Sequence, residues 1–402
     1  MPDALEALSK ACTTRPGTES DSVSGVVPSY VAEPGTVAEA AEAMRIAAEQ
    51  GLSVVPRGAG TRLGWGAPPD SCDLLIDTTR LDHVIEHAAG DLVVKVEAGV
   101  TMDRLAEVLA AKGQRLAVDI PLAGSTVGGT LAIGAAGPLR LRYGTARDLL
   151  IGVTIVRADG SIAKSGGKVV KNVAGYDLGK LFTGSYGTLG LIAEAAFRLH
   201  PLPAARRYVT ATVADGPAAN RAVQAVLHSS AVPSAIEVDA PPGGPISLSV
   251  LVEGVAEGIP ARAELVAELL GPDARIDADL PPWWGRYPDG ATLIDVTAPP
   301  TALPAVLQAA GAAGVRGSAG SGHWQVGMPG DLPADRVAEL AARLRAALTP
   351  DGGSAIVRVA PDDVRTRVDL WGPASALTLM RRVKDQFDPD HRLAPGRFVG
   401  GI

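Results

Sequence analysis

PRGAGTRLGWG, residues 56–66, is the stretch on which the reading of this chain turns. Gly58 and Gly60 begin a dinucleotide-type fingerprint, but the third glycine, Gly64, falls one position late for G-x-G-x-x-G. Trp65, Gly66, Pro68 and Pro69 then follow, and they cannot open the helix that a Rossmann site places under its pyrophosphate. A turn that exposes successive backbone N–H groups still binds a pyrophosphate, as a nest without a helix dipole. Pro56, Arg57, Gly58, Ala59, Gly60 and Thr61 are therefore candidate phosphate contacts, with Arg57 adding charge. A glycine-rich hairpin loop without a ligand accounts for the same residues.

Upstream, LSVVPRG (52–58) reads as a short apolar strand entering that loop. Before it, Thr36 and Glu39 form a capping box for an Ala-rich amphipathic helix that runs to Gln50 and stops at Gly51. Residues 1–27 read as a helix and a loose lead-in. Downstream, LLIDTTRL (74–81) and DLVVKVEAGV (91–100) are strands, and Thr101 caps a helix to Lys112. The succession of helix and strand makes the first domain α/β or α+β.

From 115 to 148 periodicity dissolves into small residues, which lets backbone come close to something. In PLAGSTVGGTLAIGAAG (121–137), Ser125 and Thr126 offer hydroxyls while Gly128 and Gly129 permit close approach. A tightly packed small-residue helix explains Ala132, Ala135 and Ala136 equally well. LRLRYGTARD (139–148) then brings Arg140, Arg142 and Arg147 together with Tyr143. LLIGVTIVRADGSIAKSG (149–166) is a hairpin about Ala158–Gly160. A second glycine-rich stretch, 168–190, leads into the strand LIAEAAFRLHP (191–201).

Past Pro201 the texture changes. RRYVTATVA, AIEVDA and ISLSVLVEG are strands with helices near 217–229 and 259–270. TLIDVTAP, HWQVGMPG and SAIVRVAP repeat the pattern with helices near 302–313 and 333–347. Two βαββα units predict one antiparallel sheet covered by helices. The divisions expected are a lead-in at 1–27, a first domain at 28–203, a second at 204–371, and a C-terminal segment at 372–402 that returns to the first. A length of 402 residues agrees with two domains.

Composition narrows the function. A net charge of −7 leaves no concentrated basic face for nucleic acid. No run of about 18 apolar residues crosses a membrane, and MPDALEALSK lacks the order of a secretory signal, so a cytoplasmic location is expected. Two cysteines, Cys12 and Cys72, cannot hold an iron–sulfur cluster unaided.

Taken in order, the loops resemble the FAD-binding fold of the vanillyl-alcohol oxidase and p-cresol methylhydroxylase family. That family runs P-x-G-x-G-T, then G-x-x-T-I-G-G-x-x-A, then Y-G, then G-T-L-G-I-I-T-E, and ends F-D-P-x-x-x-L-N-P-G. This chain has PRGAGT (56–61), GSTVGGTLA (124–132), Tyr143-Gly144, GTLGLIAE (187–194) and FDPDHRLAPGRF (387–398). KNVAGYDLGKLFTGSYGTLG (171–190) further resembles the E-type FAD-binding subunits of bacterial glycolate oxidase (glycolate dehydrogenase). The resemblance implies an α+β protein: a two-part FAD-binding domain of mixed α/β layers and an antiparallel-sheet, helix-covered cap.

By the same resemblance, Pro56–Thr61 hold the FAD pyrophosphate. Pro121, Gly124, Ser125, Thr126, Gly128, Gly129, Ala132, Tyr143 and Gly144 line the cofactor, and Ile192 meets it through its backbone. Lys171, Asn172 and Tyr176 lie near the flavin. Three departures stand out: Ile133-Gly134 replaces Thr-Asn, Ala394 replaces the Asn before Pro-Gly, and Tyr186 replaces a common Glu. Residues 57–66 contain no His, which implies that FAD is held without a covalent bond.

Catalytic relatives carry a His-rich metal site in the second domain. The six histidines here, His83, His87, His200, His228, His323 and His391, show no such spacing, and only His323 lies in a cap strand. The expectation is therefore a flavin-bearing subunit of a complex oxidising a small 2-hydroxy acid. A catalytic flavoprotein subunit and an iron–sulfur subunit would be its partners, with membrane association only through them. The alternatives are an independent 2-hydroxy-acid dehydrogenase with Arg286 or Lys171 near substrate, and a scaffold that no longer binds flavin. A reductase of cell-wall precursors would need NADPH and nucleotide-sugar contacts that the sequence does not display. PPWWGRYP, with Trp283, Trp284 and Tyr287, either packs beneath a Pro-rich turn or shapes a pocket.

Overall fold

The computed structural model describes residues 4–167, 176–329 and 332–402. In the first sheet, Thr13–Pro16, Tyr30–Glu33, Leu74–Asp77 and Val54–Arg57 lie side by side, the last three parallel. Leu74, Leu75 and Ile76 are all fully buried, as expected for a parallel strand covered on both faces. In the second sheet, Val84–Ala88, Val93–Glu97, Leu191–Arg198, Leu150–Val156 and Ile162–Gly166 follow one another antiparallel. The helix Val37–Glu49 lies between the sheets: Ala40, Met44 and Ala47 pack with Leu74 and Ile76 of the first and Val156, Leu191 and Ala193 of the second.

Two local expectations change. The Thr36 hydroxyl accepts from Glu39 N–H, but the Glu39 carboxylate takes the Gly35 N–H rather than that of Thr36. The lead-in is not loose: Thr13–Pro16 pairs with Tyr30–Glu33, and buried Asp21 accepts from Arg15, Thr18 and Arg57. Within the aperiodic region 115–148, Val127–Ile133 is a helix whose N-cap Thr126 accepts from Gly129 N–H. A Cβ on Gly128 would stand 2.8 Å from the Ala98 Cβ, so that glycine serves the seating of this helix.

The second domain is one eight-stranded antiparallel sheet. Its first half runs strand Ala205–Val213, helix Gly216–Leu227, strands Ala235–Ala240 and Ile246–Gly254, helix Ile259–Leu270, strand Arg275–Asp277. Its second half repeats this: strand Thr292–Thr297, helix Leu303–Ala310, strands Gly314–Ser318 and His323–Met328, helix Ala334–Leu348, strand Ser354–Val359. Each half is thus a βαββαβ unit; the sequence pattern lacked Arg275–Asp277 in the first and Gly314–Ser318 in the second. The halves join through their second strands, with Glu237 opposite Ser318 and Asp239 opposite Arg316. Gly314–Ser318 escaped the sequence reading because GVRGS is short and glycine-rich.

Strand alternation divides this sheet into unlike faces. Val209, Ile236, Val238, Val250, Ile294, Val296, Trp324 and Val326 form one apolar core under the helices. Alternate residues Glu237, Asp239, Ser249, Glu253, Asp295, Ser318 and Gln325 are buried too, yet polar. That polar face is turned to the first domain, where Glu253 meets Arg115 and Tyr143, and Arg358 meets Tyr186.

The C-terminal helix Leu377–Phe387 leads back to the first domain. Val54 N–H donates to Arg392 O and Ala394 N–H to Val54 O, so the FDPDHRLAPGRF segment flanks the strand entering the glycine loop. Arg397 donates to the carbonyls of Leu63 and Trp65 and fixes the far end of that loop.

Candidate functional site

The strand Val54–Arg57 ends at a cleft. Pro56, Arg57, Gly58, Ala59, Gly60 and Thr61 all line it, together with Arg62, Thr126, Gly129, Ala132, Ile133, Tyr186 and Arg397. Among the described residues, the backbone N–H groups of Gly58, Ala59, Gly60 and Thr61 have no partner within the chain. Four successive free donors form the concavity that anions occupy. Glycine at 58 is needed for closeness: a Cβ there would lie 2.1 Å from Thr126 Oγ1.

Arginine supplies the charge, though not the arginine expected. Arg57 donates to Asp77 at 2.7 Å and to Asp21 at 3.2 Å, so its guanidinium is already matched. Arg62 is buried, donates to Ser125 Oγ at 2.9 Å, and leaves Nε and Nη2 without partners. Arg397 likewise leaves Nε unpartnered, and burial lowers its pKa to about 10. Buried donors without acceptors are rare unless a ligand takes them. Free N–H groups and unpaired guanidinium atoms facing one cleft suit a pyrophosphate, so the residues present fit FAD. Arg62 lay inside the quoted loop; its lack of an acidic partner is visible only in three dimensions.

Other expected contacts are placed differently. Ser125 is buried and braces Thr61 and Arg62, while Gly124 N–H donates to Asp103. Tyr143 is at the domain junction, its hydroxyl bound to Glu253 and Arg115, and Gly144 follows at a φ of 79°. Ile192 is buried opposite Ile155 beside a strand irregularity. Tyr176 is exposed, and Lys171 and Asn172 lie outside the described residues. Tyr186 holds a left-handed φ of 57°, packs on Trp371 and Phe398, and links the cleft to Arg358 and Asp295 of the cap. Ala394 also has a left-handed φ, 44°, a conformation Asn tolerates better than Ala.

Beyond the segment Ala132–Gly137 is a second, smaller cleft between the first domain and the polar cap face. Pro121, Arg140, Glu237, Tyr287, Ser318 and His323 line it. Tyr287 also touches Trp65, which stacks with Arg62, so the two cavities share a wall. Trp284, by contrast, packs edge-on against Tyr208. Burial, reinforced by Asp119, keeps Glu237 uncharged well above the usual carboxyl range. Burial and then Arg140 depress His323 to about 3, leaving a neutral imidazole. Burial also lifts Asp119, which accepts from Leu139 N–H, to about 6. Among the described residues, no cluster of three His, Cys, Asp or Glu is arranged to hold a metal, and no helix is long and apolar enough to cross a membrane.

Comparison with known proteins agrees with this geometry. Residues 28–166 match the FAD binding domain family. The glycolate oxidase subunit GlcD of Bacillus subtilis is 32% identical over 258 residues, 63% of this chain and 54% of that protein. The chain thus spans about half the length of that relative. An FAD-linked oxidoreductase of Mycobacterium tuberculosis is 29% identical over 93% of this chain and 91% of its own. A D-lactate dehydrogenase of Archaeoglobus fulgidus is 35% identical over 42% of this chain and 38% of its own. Among solved structures, substrate-bound p-cresol methylhydroxylase superposes with a TM-score of 0.74 at 17% identity, covering 98% of this chain and 96% of its own. Chitooligosaccharide oxidase gives 0.70 at 16%, covering 97% and 98%. The fold is that of p-cresol methylhydroxylase, and residues 28–166 of the chain are similar to the FAD binding domain family.

Proposed function

We propose that this chain binds FAD non-covalently in the glycine-loop cleft and is the flavin-bearing subunit of a dehydrogenase for a small 2-hydroxy acid, glycolate foremost. The carrying observation is the run of four free N–H groups at 58–61 beside the Arg62 guanidinium, whose Nε and Nη2 have no partner among the described residues. The absence of His from 57–66 supports a dissociable cofactor. A catalytic flavoprotein subunit and an iron–sulfur subunit complete the complex in the cytoplasm, and any contact with the membrane runs through them.

Bound flavin supplies the two-electron acceptor for the carbinol carbon. The residues of this chain bind and orient. Gly58–Thr61 and Arg62 take the pyrophosphate charge, Thr126 holds the start of the helix beside it, and Tyr186 closes the cap side through Arg358. An independent dehydrogenase is the second reading, favoured by the polar cavity next to the cleft.

The test is the visible spectrum of the purified full chain before and after denaturation. A yellow protein that releases free FAD is expected. Gly58→Val, which drives a side chain into Thr126, should retain at least about tenfold less flavin, equivalent to about 1.4 kcal/mol. Colour that stays on the denatured chain would overturn the non-covalent link, and a chain that takes up no added FAD would overturn the function.

A further inference from the structure

We propose that the N-terminal segment 18–26 is a clamp that presets the glycine loop for its cofactor, with Asp21 as a positioning residue acting through Arg57. This rests on the FAD reading above and goes beyond it, because the segment lies ahead of the matched span 28–166.

The segment grips the loop at both ends. At the start, Asp21 is buried and accepts from Arg15 at 2.7 and 2.8 Å, from Thr18 Oγ1 at 2.8 Å and from Arg57 Nη1 at 3.2 Å. Arg15, working against burial, holds the Asp21 carboxyl well below the usual carboxylate range, so Arg57 faces an ionised partner. Arg57 directs Nε and Nη2 to Asp77, and its carbonyl accepts the Thr78 N–H. Its stem runs beside the loop: a Cβ on Gly60 would stand 3.9 Å from Arg57 Cδ.

At the far end, buried Arg365 of the cap donates to Ser24 Oγ and to the Gly64 carbonyl. Leu63 and Val26 pack against the cluster of Val23, Val31 and Val55. Between the two grips lie residues 58–61 with their free N–H groups. A loop with two glycines samples many backbone conformations unless its ends are fixed. Fixing them removes that freedom before the ligand arrives, and affinity gains by the ordering cost avoided. With its guanidinium engaged by two carboxylates, Arg57 sets the loop's position and leaves the pyrophosphate charge to Arg62.

The experiment is calorimetric titration of FAD into the flavin-free full chain over a range of salt, with the urea midpoint measured alongside. Asp21→Asn should weaken FAD by about tenfold or more. In an Arg57→Met background the same change should add less than about twofold, because Asp21 acts through Arg57. Arg57→Met should leave the slope of log Kd against log salt as in the parent, whereas Arg62→Met should flatten it by about one ion. A purely structural Asp21 would lower the urea midpoint without this dependence on Arg57. Undiminished FAD binding by a folded Asp21→Asn, an equal loss with and without Arg57, or a flattened slope in Arg57→Met would each overturn the inference. If Asp21→Asn does not fold, Ser24→Ala tests the other grip: FAD weakened by about threefold supports the clamp, and parental affinity overturns it. A parent chain that takes up no FAD refutes the flavin function and the clamp with it. FAD binding by the parent with these losses missing refutes the clamp alone.

Discussion

Lys384 is fully withdrawn from water and Arg140 half-buried with its Nη1 enclosed, and their surroundings are built on opposite plans. Lys384 Nζ donates to Thr188 O, Leu393 O and Asp388 Oδ2, all at 2.7–2.8 Å, so each of its protons is used. Asp388 Oδ2 also accepts from Leu393 N–H, which ties the helix Leu377–Phe387 to the segment beside the glycine loop. Among the described residues Arg140 Nη1 has no such closure, and the neighbouring Glu237 and Ser318 have no partner beyond each other. A buried charge that is fully bonded holds chain segments together. One that is left open ties nothing together.

The contrast breaks first at the lock. Lys384→Met leaves Asp388 buried without its partner and should cost about 3–5 kcal/mol in urea denaturation. A loss below about 1 kcal/mol would remove the structural role assigned to it. The next effect concerns pH. His323 stays neutral in the fold, near 3, whereas the unfolded chain takes a proton near 6.5. Stability linked to it is therefore complete above 6.5 and falls on acidification towards 3, at about 1.4 kcal/mol per pH unit. Asp119, raised to about 6, acts oppositely: its share is full below 3.8 and lost as pH rises through 6. Between pH 7 and 5, His323→Gln should remove a loss of up to about 2 kcal/mol, read as a smaller shift of the urea midpoint than in the parent. The smallest effect belongs to the cavity. Glu237→Gln replaces an uncharged carboxyl by an amide of nearly equal shape and should change stability by less than about 1 kcal/mol. A loss as large as that of Lys384→Met would mean that Glu237 is a structural group after all.

The cofactor half was largely legible in the sequence because its chemistry is backbone chemistry. A loop that must free its N–H groups and approach a helix cap within van der Waals distance has few choices but glycine, as at Gly58. The cap strands were legible from alternation in AIEVDA and ISLSVLVEG. Alternation does not say whether the polar face meets water or another domain, so the burial of Glu237 and Asp239 is not legible in AIEVDA. Arg140 was noticed among three basic residues, but nothing local separates it from Arg142, which is exposed over Tyr143. Arg57 drew attention for its place in the loop, while its partners Asp21 and Asp77 are 36 and 20 residues away. Charge compensation is set by the fold, and that is what divided Arg57 from Arg62.

The seam of the cap joins two units of the same element order. Glu237 comes from the second strand of one βαββαβ unit and Ser318 from the second strand of the other. Neither unit possesses this junction alone; it comes into being when two copies are fused in one chain. Duplication of a single ancestral unit would thus create the cavity wall in one event, from two initially identical strands. Each copy could then diverge on its inward face, one towards an acid and the other towards a hydroxyl, while both kept the apolar face beneath the helices unchanged.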